Sequence, residues 1–191
     1  TGLQIEGGYR LVLRKKKKNA NAALAGLGKS RRVLLGDTLL EKFTPEEIAV
    51  VFAHEIGHHV HKHIPKMILF GIFTTMLGFW LVDLLLRQGT GTLTSLSNVA
   101  FSFKHPAALP LVLFVLSVFG LILSPLENAL SRFHERQCDR YALERTGLHD
   151  GYRSAFVKLA TMNKSDPDPH PLVVWLLHDH PPIRERISMA G

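Results

Sequence analysis

Val51-Phe52-Ala53-His54-Glu55-Ile56-Gly57-His58-His59 is the stretch on which the reading of this chain turns. On a helix, residues four apart are separated by about 40° around the axis and by one turn along it, so His54 and His58 share a face. Two imidazoles at that spacing can grip one tetrahedral Zn²⁺ ion. Glu55, next to them, is too near to converge as a further ligand but is well placed to take a proton from a water on the metal. The pair still needs a third ligand, a partner that orients the rings, and a groove for substrate.

The flanking residues predict that the motif does lie on a helix. Thr44 is a suitable N-cap, Pro45 fills a first-turn position where its missing N–H costs little, and Glu47 completes a Thr-x-x-Glu capping box. Phe43 and Ile48 form the hydrophobic staple across that cap, and Pro65 is expected to end or kink the helix. Five histidines fall between positions 54 and 63, so rivals must be weighed. His61 lies about 10 Å along the axis from His54, too far for both to hold one ion. His59 and His63 make another i, i+4 pair, but without an acidic neighbour they read as interfacial or surface histidines.

Two apolar runs set the class. Met67 to Val82 carries no charge and Leu84 to Leu86 extend it past Asp83; Ala107 to Leu126 is uncharged throughout. The second run spans about 30 Å as a helix, the hydrocarbon thickness of a bilayer. Both are internal, which excludes a signal peptide. Only Arg87 and Lys104 lie between them, leaving 21 of the 23 basic residues in the flanks. The positive-inside rule then predicts an integral membrane protein with both flanks, and the site they share, facing the cytoplasm. The expected organisation is residues 1–66 as a sheet plus the zinc-motif helix, 67–126 as a transmembrane hairpin, and 127–191 as the remainder of the catalytic domain.

The net charge of +7 suits an anionic membrane surface. No aromatic platform or recognised module supports a nucleic-acid partner. Cys138 is the only cysteine, so an internal disulfide is excluded.

The N-terminal region predicts a small sheet over residues 8–36. Tyr9, Leu11 and Leu13 alternate with Arg10, Val12 and Arg14, Asn21 to Leu24 suit an edge strand, and Arg32 to Leu35 suit a third. Lys15 to Lys18 read as a solvated turn. After the second apolar run, Glu127 to Leu143 is helix-compatible, with a stop expected at Gly147. Glu135 and Asp139 share a face of it. As a solvated charged helix they would pair with Arg132, Arg136 and Arg140. As a site, Glu135 would be the third zinc ligand and Asp139 would accept the free ring N–H of a liganding histidine. His134 and Cys138 are also able ligands, and the residues alone leave that choice open. Residues 150–163 predict an amphipathic helix, and His178 to Pro182 a turn before a short helix from Ile183.

Taken together, Asn21-Ala22, Arg32 to Leu40, His54-Glu55-Ile56-Gly57-His58, Ser131-Arg132-Phe133-His134-Glu135-Arg136-Gln137-Cys138-Asp139 and His180-Pro181-Pro182 resemble the membrane zinc endopeptidases that include the CAAX prenyl proteases and bacterial HtpX. The resemblance covers most of the chain outside the apolar runs. It implies an α+β, mainly α, zincin-like catalytic domain of gluzincin type with a small β-sheet, interrupted by the two-helix hairpin. It implies one Zn²⁺ per chain, held by His54, His58 and Glu135, with Glu55 as general base and Asp139 behind the ligands. It further implies that His180 and Arg186 steady the oxyanion and the substrate backbone, and that Asn21 belongs to an edge strand that docks a polypeptide substrate. Cys138 departs from the small residue the pattern leads one to expect before the aspartate. The rival from another class is a zinc-binding membrane protein without catalysis. Carriers need ligands at membrane depth, however, and Asp83 is the only ionisable residue within the apolar runs.

Overall fold

A computed structural model describes residues 7–11, 22–25, 32–97 and 108–191. Asn21 and the Lys15–Lys18 run lie outside the described residues. Three strands, β1 (Gly7–Leu11), β2 (Ala22–Ala25) and β3 (Arg32–Gly36), form a sheet of order β1-β3-β2. β1 runs parallel to β3, from Gly7 opposite Arg32 to Leu11 opposite Gly36, and β2 runs antiparallel to it, from Ala22 opposite Leu35 to Ala25 opposite Arg32. Among the described residues seven helices follow: α1 (Asp37–Lys42), α2 (Pro45–Val60), α3 (His63–Ser97), α4 (Leu109–Thr146), α5 (His149–Asn163), α6 (Pro171–Leu177) and α7 (Ile183–Ser188).

The chain divides into two compact units, one of Thr1–His63 with Asn128–Gly191 and one of Ile64–Glu127. In the first, α2 is the central element. Its N-terminus has the capping box: Thr44 accepts from the Glu47 backbone N–H at 3.3 Å, and the Glu47 carboxylate accepts from the Thr44 N–H at 2.8 Å. Val50 and Ala53 then face Ala142 and Leu143 of α4 and Tyr152 and Phe156 of α5, while Val51 joins Leu39, Phe43 and Ala155 in an adjoining cluster. Burying such side chains contributes on the order of 2 kcal/mol each before entropy is counted. This core clamps α2 by its apolar face and leaves the His54–His58 face for α4 and the cleft. α4 stops where expected: Gly147 takes φ +64°, which a glycine adopts without strain.

The second unit consists of the apolar stretches of α3 and α4. Both helices are long and apolar enough to cross a membrane. Their side chains are not those of a soluble core, with Phe73 62% and Ile122 75% exposed. At Gly78 the two helices approach so closely that a Cβ would lie 3.2 Å from the Phe119 ring.

One boundary differs from the sequence-based expectation. α2 ends at Val60, not at Pro65; Lys62 takes a left-handed φ of 55° and α3 starts at His63. Pro65 therefore sits in the first turn of α3, where no intrahelical N–H is required. The break also removes the i, i+4 relation between His59 and His63. His63 is 3% exposed, a buried residue instead of the surface histidine expected from spacing.

Candidate metal centre

His54 and His58 come from the middle and the last turn of α2, and Glu135 comes from α4. What lets these helices meet is Gly57. A Cβ there would lie 3.0 Å from Cys138 Cα and 3.2 Å from its Sγ, so a side chain would force α2 and α4 apart. With glycine in place, Glu135 Oε2 lies 3.3 Å from His54 Nε2 and Glu135 Oε1 lies 3.2 Å from His58 Nε2. All three donor atoms fall within 4.8 Å of one another. Adjacent ligands at about 2.0–2.1 Å from a tetrahedral Zn²⁺ are about 3.3–3.4 Å apart, so this donor set fits that ion.

Two of the three arginines expected to pair with Glu135 and Asp139 in a solvated helix, Arg132 and Arg136, bond elsewhere. Arg136 binds Glu185 on α7, and Arg132 donates to the carbonyls of Val174, in the middle of α6, and His178, its C-cap. Glu135 and Asp139 are instead buried, at 6% and 0% exposure. Asp139 Oδ1 accepts from His54 Nδ1 at 2.9 Å and from Arg186 Nη2 at 2.5 Å. Arg186 lies face-on over the Phe156 ring at 3.9 Å and approaches Glu135 Oε2 to 3.5 Å.

This charge pattern perturbs His54, Glu55, Glu135 and Asp139. Burial opposes charge on His54, but hydrogen bonds to Asp139 and Glu135 outweigh it and raise its pKa to about 9. Burial would raise Glu135 as well; hydrogen bonds from His54 and His58 reverse that and hold it far below the usual carboxylate range. Asp139 is likewise lowered, by His54 and the Arg186 charge against its own burial. The His54 ring thus stands between two carboxylates, Asp139 at Nδ1 and Glu135 at Nε2, a surrounding that compensates positive charge. Glu55 moves the other way, raised by burial with His54 and His58 partly opposing. Burial and the surrounding carboxylates push the Cys138 thiol up, the state of an inert structural cysteine.

A cleft of about 720 Å³ opens onto the cluster, bordered by His54, Glu55, His58, Glu135, His180 and Arg186. His180 Nε2 lies 3.9 Å from Glu135 Oε2, and its Nδ1 is held by Asp179 at 2.8 Å. His54, Glu55, His58, Glu135, His180 and Arg186 thus lie around one cleft, and Asp139 bonds to His54 and Arg186. Cys138 does not join the His54–His58–Glu135 group; its Sγ lies with His58 and His63 instead. Sequence reasoning missed the bond from Arg186 to Asp139, 47 residues away, and the burial of His63 against Gln137.

A family model described as Peptidase family M48 matches residues 1–190. The chain is 33% identical over 183 residues to the uncharacterized metalloprotease YhfN of Bacillus subtilis, covering 95% of this chain and 42% of that protein. It is 32% identical over 188 residues to CAAX prenyl protease 1 of Saccharomyces cerevisiae, covering 91% and 41%. The crystal structure of S. mikatae Ste24p matches with a TM-score of 0.77 at 25% identity, over 96% of this chain and 44% of that one. The chain thus spans less than half the length of these relatives.

Proposed function

The chain belongs to peptidase family M48, and from that premise we propose that it acts as a membrane-integrated zinc metalloendopeptidase hydrolysing peptide bonds of membrane-associated or misfolded proteins. The observation that carries this reading is the convergence of His54, His58 and Glu135 donors within 4.8 Å at the edge of an open cleft. A gluzincin-type zincin arrangement, with two ligands on one helix and a glutamate on a later one, accounts for it.

His54, His58 and Glu135 would hold one Zn²⁺. When bound, the ion supplies Lewis acidity, bringing the pKa of water to about 7 and polarising a carbonyl. Glu55 borders the cleft beside the ligands, and its raised pKa suits a carboxylate that accepts a proton from the attacking water and returns it to the leaving amine. His180, whose Nδ1 meets Asp179, would donate to the developing oxyanion, an effect typically of about 3 kcal/mol. Arg186 holds Asp139 and borders the cleft, where it would also steady the substrate backbone. Asn21 immediately precedes β2, an edge strand among the described residues, and main-chain docking there would give affinity with little sequence selectivity. The concentration of basic residues outside the apolar runs favours a cytoplasmic site.

The test compares wild type with Glu55→Gln for bound zinc and for cleavage of an unfolded membrane-protein substrate. Both are expected to bind about one zinc, and only wild type to cleave. Equal cleavage would remove Glu55 from its role, and absence of metal from both would remove the site. Metal in both with cleavage in neither would instead identify a zinc-binding protein without catalysis.

A further inference from the structure

His54 has Asp139 to fix its outward nitrogen. His58 needs an equivalent, and Asp139 is not it. His58 Nδ1 lies 3.1 Å from His63 Nδ1, and His63 Nε2 lies 3.0 Å from Gln137 Oε1. We infer that His63 and Gln137 are positioning residues that fix the tautomer and ring angle of His58, so that its Nε2 offers a lone pair to the metal. This rests on the zinc reading above.

The direction of each hydrogen bond follows from the chain's last acceptor. Gln137 Oε1 can only accept, so His63 carries its proton on Nε2. His63 Nδ1 then has a lone pair and no proton, and can only accept. The ring facing it must donate, which puts the His58 proton on Nδ1 and leaves Nε2 free for the ion. Cys138 Sγ lies 3.6 Å from the same His63 nitrogen, but a thiol is the weaker donor. The ring of His63 is itself held, stacked on His134 at 4.1 Å and on His61 at 5.5 Å, and is 3% exposed. His58 depends on this support more than His54 does. Its side chain is 26% exposed against 9%, and it lies in the last turn of α2. The left-handed Lys62 is what turns the chain so that His63 comes back against His58.

The geometry admits one competitor. His58, His63 and Cys138 also lie close enough to hold an ion of their own. An ion there would use both nitrogens of His58 and require the ring to lose both protons; a hydrogen bond requires no such step.

The experiment titrates Zn²⁺ into the metal-stripped full chain against a chelator of known affinity, with the Co²⁺ absorption spectrum as a second readout. Asn places an oxygen near where His63 Nδ1 stands, whereas Leu has similar size and no acceptor. His63→Leu is expected to weaken zinc binding about 10- to 100-fold and alter the Co²⁺ spectrum, and His63→Asn to stay closer to wild type than to His63→Leu. Gln137→Leu should weaken binding in the same direction, and Gln137→Glu should retain it; this second pair decides the matter if His63→Leu does not fold. Equal affinity of wild type and His63→Leu would overturn the inference. So would equal losses in His63→Leu and His63→Asn, which would mean packing alone. A second zinc equivalent that disappears in Cys138→Ser would replace it with a second metal site. A wild type without zinc overturns both this inference and the reading beneath it, whereas the other outcomes leave that reading intact.

Discussion

Asp139 Oδ1 stands 2.9 Å from His54 Nδ1, with Asp139 wholly buried and its remaining charge facing Arg186 at 2.5 Å. The carboxylate therefore does two jobs at once. It holds the His54 ring through Nδ1, which on the proposed reading turns Nε2 to the metal, and it compensates a guanidinium that is 6% exposed. Neither group could be buried at this position alone.

Asp139→Asn keeps the shape and removes the charge. Zinc affinity is expected to fall about 10- to 100-fold, read by chelator competition. Stability should fall by about 3 kcal/mol, the lower end for an orphaned buried charge, because Glu135 still lies 3.5 Å from Arg186. A variant with wild-type affinity would mean that Asp139 serves Arg186 alone.

Gly57→Ala tests the close approach of α2 and α4. The new methyl would meet Cys138 backbone at 3.0 Å, and overpacking of this kind costs about 1–3 kcal/mol. Because the same approach brings Glu135 to the histidines, zinc content should drop along with the melting temperature. A more stable, fully loaded variant would contradict the geometry described here.

Zinc loading should depend on pH through His54. Its folded pKa of about 9 lies above the ordinary 6.5, so the protonated ring stabilises the metal-free fold fully below pH 6.5. That contribution is lost as pH rises through about 9. Zinc must displace the Nε2 proton, so apparent affinity is expected to increase from neutral pH toward 9, with proton release on binding. Calorimetry at pH 7.5 in two buffers of different ionisation enthalpy measures it; identical heats would refute the linkage.

Glu47 supplies an acid-side dependence away from the metal. Its carboxylate is 2% exposed and accepts from Lys158 at 2.7 Å, from the Thr44 N–H at 2.8 Å and from Ser154. Burial pushes its pKa up, but these bonds, Lys158 foremost, hold it below the ordinary value. The stability it provides is thus present above pH 4.5 and lost as pH falls through the lowered value. Glu47→Gln should flatten the acid limb of the stability curve and cost on the order of 2 kcal/mol at neutral pH. The ion pair itself accounts for under about 1 kcal/mol of that, since the Lys158 side chain is 37% exposed. An unchanged acid limb would assign the dependence to another group.

Features encoded over a few residues were legible in the sequence. The capping box at Thr44, the stop at Gly147 and the apolar runs are local, and so is the shared face of His54 and His58. The break at His61–Lys62 was not, because neither residue is a glycine or proline and the left-handed turn at Lys62 follows from its surroundings. Pro65 misled for the same reason: a proline ends one helix or starts another depending on where the previous turn falls. In the site, Glu135 and Asp139 could be paired with each other but not assigned over Cys138. That assignment depends on the contact at Gly57, which no periodicity encodes. The roles of His63 and Gln137 required two segments 74 residues apart to meet.

His54 and Asp139 are 85 residues apart, and both apolar runs lie between them. During synthesis at 5–20 residues per second, roughly 4–17 s separate the emergence of the two. Throughout that interval the nascent chain carries the His54–His58 helix without Glu135 or Asp139. The order of residues along the chain therefore acts as a timer. On the proposed reading, the His54–His58–Glu135 group cannot form until both apolar segments have left the ribosome, so no cutting centre would exist while they are being made.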